Sequence, residues 1–284
     1  MKLIEAFDFV GAQRPAWRTQ AGSWRPPFCY NRSHLLRLLG ADTDVSSITK
    51  ADLAQVRNDL LNEPMANKSG RRSVGGVNRI MSMISCLLRE LEDNDIIHRA
   101  PRLKGLRENN TRTNWFSRAQ VEKMVTVAKE ELGNRLLASA ILTAAFTGAR
   151  QSELLNLKVK DVNFMSDQVQ FRDTKNGTDH LVDIHTSLRP VLRQLCEDKQ
   201  GDDPVFDFTN DDQLRREFYR VRDLCGISED YVWHSLRHST ATWLAENGVP
   251  LVVIARVLNH KTITTTQRYA KASDKARREA INTL

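Results

Sequence analysis

The segment at 136–146 constrains the fold most, because nearly every residue in it is apolar. A helix that is apolar on all its sides belongs in a buried core. Gly148 is expected to end this helix, and a new helix is expected from about 150 to 157. The sequence therefore predicts a helical core in this part of the chain.

The only β-strand signal lies between residues 168 and 184. Val169 and Phe171 alternate with polar residues, and a second short apolar run occupies 181–184. Asn176-Gly177 between the two runs is a strong signal for a β-hairpin turn. We therefore predict a mainly α fold with a small β-hairpin or sheet, an α+β class.

Helical spacing dominates the rest of the chain. Thr49 precedes apolar residues spaced as in a helix, and a longer apolar stripe runs from 77 to 91. Ser117 and Gln120 form an expected capping box, with Phe116 and Val121 as a hydrophobic staple around it. Further helices are expected near 187–198, 211–224, 235–247, 250–258, 263–271 and 273–282.

The chain of 284 residues is long enough for two domains. We place a helical domain at 1–105 and a second domain at 106–284. The polar stretch at about 98–114 carries five basic residues and one acidic residue, together with Pro101 and Gly105. This composition is typical of an interdomain linker.

Positive charge is concentrated in the first part of the chain. Residues 1–107 hold 17 Lys and Arg against 11 Asp and Glu, whereas 108–284 hold 25 against 24. A net charge of +7 favours an anionic partner such as nucleic acid. The candidate DNA contacts are Lys68, Arg71, Arg72, Arg79, Arg102 and Lys104.

Neither a metal site nor a membrane span is expected. The four cysteines form no CxxC pair, and no Cys/His cluster has zinc spacing. The N-terminus carries no apolar run of signal-peptide type, and no segment reaches about 18 apolar residues. A cytoplasmic protein with reduced thiols is therefore expected.

Charged, imidazole and phenol side chains recur in four short motifs: TGARQSE at 147–153, HSLRH at 234–238, LNH at 258–260 and RYA at 268–270. Arginine presents paired donors that match phosphate oxygens, and Arg150 lies at a helix start. His234 and Arg237 share one helix face. The Tyr269 phenol, with an ordinary pKa near ~10, needs nearby cations to become a nucleophile.

In this order the motifs resemble the active site of the tyrosine recombinase (phage integrase) family. The resemblance is close over about 115–284 and looser in the N-terminal part. It implies a core-type DNA-binding domain and a catalytic domain that form a C-shaped clamp around double-stranded DNA. Tyr269 would attack the scissile phosphorus to give a 3′-phosphotyrosyl bond, and strands would exchange through a Holliday junction without metal, nucleotide or other cofactor.

The resemblance also assigns individual roles. Arg150 and Arg237 would clamp the phosphate, and Lys175 beside the hairpin turn would protonate the leaving oxygen. His234 would accept the tyrosine proton or donate to phosphate, and Glu153 would support the site. The full expected catalytic set is Arg150, Lys175, His234, Arg237, His260 and Tyr269, while His238 is given a structural role.

Assembly follows from the same resemblance. Four protomers would act on paired DNA sites in the nucleoid, with accessory DNA-bending proteins as further candidate partners. Residues 273–284 would form a short helix that docks on a neighbouring protomer. Integration, excision and chromosome-dimer resolution share one active site, so the sequence leaves them open.

Two departures and two rival functions are relevant. The family often has Leu-Gly-His where this chain has Asn259, which also tolerates positive φ. The first domain often ends in Asn-Pro, whereas this chain has Arg99-Ala100-Pro101.

A type IB topoisomerase uses the same tyrosine chemistry. A helix-turn-helix regulator would also fit 235–258, with Gly248 in its turn, but it would not need Tyr269.

Overall fold

The computed structural model describes residues 1–64, 70–108, 114–172, 179–273 and 282. The chain forms two compact units, Met1–Asn110 and Thr111–Leu284. Its elements are mainly helices, with one small antiparallel sheet, so the predicted fold class is confirmed.

The described residues of the first unit form four α-helices, of which three pack around the long fourth one. They are α1 (Leu3–Gln13), α2 (Pro26–Leu39), α3 (Lys50–Asn62) and α4 (Val74–Asp93). The apolar stripe of α4 is buried, as its spacing predicts, and each of the other three helices packs against it. Helix α1 is not among the predicted helices, although its apolar side chains Leu3, Phe7 and Val10 are fully buried.

Local sequence signals set the ends of these helices. Thr49 caps α3 by accepting the Asp52 N–H at 3.2 Å, and the Asp52 carboxylate accepts the Thr49 N–H at 2.8 Å. Gly40 ends α2 with a φ of 87°, a conformation that costs glycine little.

A cluster of polar side chains joins α2, α3 and the segment before α4. Arg72 donates to the Glu63 carboxylate at 3.1 Å and also to the Tyr30 hydroxyl. Arg37 donates to the other Glu63 oxygen at 2.5 Å, and His34 packs edge-on against Tyr30. Glu63 is thus the shared ion-pair partner of two arginines, of which Arg72 is only 9% exposed.

The second unit holds seven α-helices among its described residues. They are α5 (Arg118–Thr126), α6 (Arg135–Thr147), α7 (Gln151–Leu155), α8 (Arg189–Cys196), α9 (Asp211–Leu224), α10 (His234–Glu246) and α11 (Leu251–Val257). Helix α5 continues into a π-helical turn at Val127–Glu131.

Helix α6 lies in the core of this unit, as its apolar sequence predicts. The capping box of Ser117 and Gln120 starts α5, and its flanking residues Phe116 and Val121 are both buried. The expected helix start is therefore confirmed.

The sheet has the order β1-β2-β3, with β1 at Val162–Asn163, β2 at Gln168–Phe171 and β3 at His180–Asp183. Both pairings are antiparallel, and Val169 lies opposite Val182. β2 and β3 are the two predicted strands, while the two-residue β1 is too short to give a sequence signal. The Asn176-Gly177 turn lies outside the described residues.

The end of the chain differs from the sequence expectation. In place of an α-helix at 263–271, the structure has 3₁₀ turns at Ile263–Thr265 and Gln267–Ser273. The run Thr264-Thr265-Thr266 accounts for this, because β-branched side chains lose rotamer freedom in an α-helix. The helix expected at 273–282, and the docking helix proposed for 273–284, lie outside the described residues except for 273 and 282. No helix in the described ranges is both long and apolar enough to cross a membrane.

Replacing Glu63 by Gln tests the polar cluster of the first unit. The change keeps the shape of the side chain but leaves the nearly buried Arg72 without its counter-charge. We expect the free energy of unfolding to fall by about 1–3 kcal/mol. Chemical denaturation measures this, and Asp93→Asn, at an exposed position at the end of α4, is the matched control. Equal stability of the two variants would contradict the assignment.

Candidate active site

A tight turn between α6 and α7 positions the first arginine. Gly148 ends α6 in the left-handed region, with a φ of 68°, and Arg150 is the residue that precedes α7. The Glu153 carboxylate accepts the Arg150 backbone N–H at 2.8 Å and its Nη1 at 2.5 Å. Glu153 is 5% exposed, so one buried carboxylate both caps α7 and orients the guanidinium.

Two backbone carbonyl oxygens hold the second arginine. Arg237, on the first turn of α10, is 4% exposed. Its Nη1 donates to the Gly148 carbonyl at 2.6 Å, and its Nη2 donates to the Leu258 carbonyl. Burial and then repulsion by Arg150 lower the pKa of Arg237 to about 10, which leaves the guanidinium charged at neutral pH.

Close packing surrounds the turn at Gly148. A Cβ atom built on Gly148 would lie 2.5 Å from Leu258 Cδ2 and 3.4 Å from two atoms of Thr240. Glycine is therefore required here both by the positive φ and by the lack of space. The same packing brings the end of α11 against the turn that carries Arg150.

Three histidines lie close to the two arginines, and all three are neutral near pH 7. Loss of hydration and then the Arg237 charge lower the pKa of His234 to about 4, although the residue as a whole is exposed. The same two causes, in the same order, lower the pKa of His260 to about 4. Burial and then His234 lower the pKa of His238 to about 3.

The Tyr269 phenol is buried and hydrogen-bonded. Tyr269 is 5% exposed and packs with Ala241, Ile254 and other apolar residues of α10 and α11. Its hydroxyl lies 2.5 Å from His238 Nδ1. Burial raises the pKa of Tyr269, so the phenol keeps its proton, and the Nε2-protonated tautomer of the neutral imidazole accepts a hydrogen bond from it at Nδ1.

Positive charge exceeds negative charge around the phenol. Arg150, Arg237 and the exposed Arg268 all lower the pKa of His234, and the carboxylate of Glu153 acts in the opposite direction. Arg268 and Arg237 also oppose the upward shift of the Tyr269 pKa. Such an excess of cations attracts an anion, and the fork geometry of arginine suits phosphate.

Most of the predicted catalytic residues lie in this one cluster. Lys175 lies outside the described residues. Asn259 has a φ of 48°, so the tolerance expected of asparagine at this turn is confirmed. His260 Nδ1 lies 2.8 Å from the Thr266 hydroxyl, which fixes its ring beside the segment that carries Tyr269.

The predicted DNA contacts in the first unit differ in exposure. Arg71, Arg79, Arg102 and Lys104 are exposed, whereas Arg72 is engaged with Glu63 and Tyr30. Lys68 lies outside the described residues. DNA contact by any of them stays a prediction.

Sequence reasoning missed the contact between His238 and Tyr269. His238 has a structural role in the sequence-based assignment, yet it is the residue whose imidazole bonds the phenol. The spacing contained a signal, since His238 lies four residues after His234 and hence on the same helix face. The two rings are 4.9 Å apart between centroids.

Comparison with known proteins identifies the family. The sequence pattern of the phage integrase family matches residues 114–276. The match spans more than half of the chain, so the chain belongs to the phage integrase family, as the motifs predict. The tyrosine recombinase XerA of Saccharolobus solfataricus is 32% identical over 150 residues, which make up 53% of this chain and 49% of that protein. XerA of Pyrococcus furiosus is 28% identical over 191 residues, which make up 64% and 65%. The chain thus spans about half to two thirds of the length of these curated relatives.

Solved structures share the fold. The integrase of transposon Tn1549, in complex with a circular intermediate DNA, has a TM-score of 0.76 at 16% identity over 100% of both chains. A lambda integrase dimer bound to a COC′ core site has a TM-score of 0.75 at 18% identity over 95% of both chains. At these identities the likeness establishes the fold.

Acidification tests the neutral state of the histidine that contacts the phenol. His238 has an ordinary pKa near ~6.5 when unfolded, but about 3 in the folded chain. The unfolded state therefore binds a proton first, and stability falls as pH drops from 6.5 towards 3. One such group contributes at most about 1.4 kcal/mol per pH unit.

We expect His238→Gln to reduce the loss of the unfolding free energy between pH 7 and pH 5. Denaturant titrations at the two pH values measure this, with His98→Gln, at an exposed position in the first unit, as the control. An unchanged pH dependence in His238→Gln would show that the imidazole titrates normally.

Proposed function

We propose that this chain is a site-specific DNA recombinase that cuts and rejoins strands through a covalent tyrosine intermediate. One observation carries the proposal: the Tyr269 phenol and the histidines beside it lie among three arginines, whose positive charge the single carboxylate of Glu153 does not balance. A phosphodiester supplies the negative charge that such a site lacks. The DNA present in the solved integrase structures supports duplex DNA as the partner.

The proposed cleavage step uses groups of this chain only. Tyr269 Oη attacks the scissile phosphorus, and the bond from phosphorus to the 5′ oxygen breaks. The phenol proton passes to the histidine pair on α10, where His238 contacts the hydroxyl and His234 lies one turn before it. Arg150 and Arg237 stabilise the charge on the non-bridging oxygens. Lys175 donates a proton to the leaving 5′ oxygen.

Rejoining reverses this step on a partner strand. A 5′ hydroxyl from the second duplex attacks the 3′-phosphotyrosyl bond, releases Tyr269 and forms a Holliday junction after the first exchange. The covalent bond conserves the energy of the phosphodiester, so neither ATP nor a metal ion is required. We further propose that unit Met1–Asn110 binds the DNA core site, unit Thr111–Leu284 performs the chemistry, and four protomers act together.

Replacing Tyr269 by Phe tests the proposal directly. Cells expressing the chain are lysed in denaturing detergent, the protein is captured, and the attached DNA is sequenced. We expect DNA adducts with the unaltered chain and none with Tyr269→Phe, because only the hydroxyl can form the phosphotyrosyl bond. Tyr231→Phe, the same substitution at a half-buried site in this unit, should keep the adducts.

The distribution of the adducts distinguishes the rival functions. Adducts at one or a few sequences support a recombinase, whereas dispersed adducts indicate a type IB topoisomerase. DNA binding without adducts would contradict strand cleavage and favour a DNA-binding regulator.

Arg150→Lys tests the role of a paired donor. Lysine keeps the positive charge but cannot make two parallel hydrogen bonds to phosphate or keep the same bond to Glu153. On a nicked duplex built from a recovered adduct sequence, we expect single-turnover cleavage to slow by about 10²–10³-fold. The dissociation constant for the duplex should change far less. Arg193→Lys, on exposed α8 surface, is the control, and an unchanged rate in Arg150→Lys would exclude a phosphate clamp at this residue.

A further inference from the structure

We propose that His180 is a positioning residue for the recombination chemistry. Its side chain connects strand β3 to the turn that holds Arg237 and His260. The inference rests on the proposed function. His180 lies on a different element from every residue of the predicted catalytic set that the structure describes. Its imidazole nevertheless reaches the end of α11, where two of those residues are anchored.

The contact is a single directed hydrogen bond. His180 is the first residue of β3, and its Nε2 lies 2.9 Å from the backbone carbonyl of Val257, the last residue of α11. A carbonyl only accepts hydrogen bonds, so Nε2 carries the proton. The ring also stacks on Phe171, its partner across the β2–β3 ladder, at 6.4 Å between centroids. The imidazole is therefore fixed from the strand side as well as from the helix side.

The bonded carbonyl belongs to a turn on which the site depends. The next carbonyl along the chain, that of Leu258, accepts from Arg237. Asn259 then takes a φ of 48°, and His260 follows with its ring held by Thr266. Two consecutive carbonyls thus accept hydrogen bonds from two different elements: that of Val257 from His180 on β3, and that of Leu258 from Arg237 on α10. Fixing the first carbonyl restricts the orientation of the second.

The surroundings favour the uncharged form of His180. Burial lowers the pKa of His180, and the charges of Arg237 and Arg150 lower it further, while the Val257 carbonyl and Glu153 act in the opposite direction. The neutral ring can donate to Val257 without adding another positive charge beside the two arginines. A lysine or arginine in its place would add that charge, so a neutral donor fits the position better.

Loss of this bond should slow the chemistry more than it weakens binding. The turn at 257–260 would lose one of its side-chain anchors, and Arg237 would lose part of the restraint on its acceptor. Displacements of about 1 Å in such supporting structure can cost about 10²-fold in rate. The duplex contacts made elsewhere on the chain would remain.

The experiment compares His180→Ala with His180→Gln in the full chain. Glutamine carries an amide N–H that can reach the Val257 carbonyl, so it should restore most of the activity. Leu181→Gln is the matched control, because Leu181 is 59% exposed on the same strand and its side chain points to the opposite face. The probe is the nicked duplex built from a recovered adduct sequence.

Three quantities are measured for each variant: the melting temperature, the dissociation constant for the duplex, and the single-turnover rate of covalent adduct formation. For His180→Ala we expect the rate to fall by about 10–100-fold, with the dissociation constant changed by less than about 3-fold. His180→Gln and Leu181→Gln should both cleave at close to the unaltered rate. A merely structural role would instead lower the melting temperature and leave the rate of the folded fraction unchanged.

A double variant identifies the path of the effect. If His180 acts through the turn that carries His260, the rate losses of His180→Ala and His260→Ala should combine to less than the product of the two. Full multiplicativity, or an unaltered rate in His180→Ala, would overturn the inference. Absence of adducts in the unaltered chain would instead overturn the proposed function, so the two failures are distinguishable.

Discussion

The contacts of the buried Arg237 guanidinium are the interaction on which the rest of the candidate active site depends. It joins the end of α6, the start of α10 and the end of α11 through two backbone carbonyls, of Gly148 and Leu258. Carbonyl dipoles stabilise the cation but do not neutralise it, and the nearby carboxylate of Glu153 is engaged by Arg150. The site therefore keeps an uncompensated positive charge, which a buried arginine tolerates only when its donors are satisfied.

The histidines fit this charged environment because they add no charge to it. Each of His234, His238 and His260 has a pKa well below neutrality, for which loss of hydration and neighbouring positive charges are responsible. A neutral imidazole can accept the phenol proton, which an imidazolium cannot. In the proposed reaction the arginines thus have two effects: they attract an anion, and they help to keep the neighbouring histidines unprotonated.

Much of this arrangement could be predicted from the sequence, and the remainder has a common physical cause. Helix α9 has the predicted bounds, and α6 is buried as its apolar run requires. Short elements such as β1 carry too few residues for a periodic pattern. The partners of Arg237 are backbone carbonyls. Because every residue has a carbonyl, these hydrogen bonds cannot be predicted from residue types. The role of Arg72 depends on Glu63 from another helix, and such pairings appear only after folding.

The seven-residue 3₁₀ segment Gln267–Ser273 has a geometric consequence for the tyrosine that it carries. A 3₁₀ helix rises about 2.0 Å and turns about 120° per residue, against about 1.5 Å and 100° for an α-helix, and runs longer than about four residues are uncommon. Rewinding the two steps from Gln267 to Tyr269 would rotate the phenol by about 40° and shift it by about 1 Å along the axis. The orientation of the proposed nucleophile, Tyr269, is thus coupled to helical pitch, which can change without a hinge elsewhere in the chain.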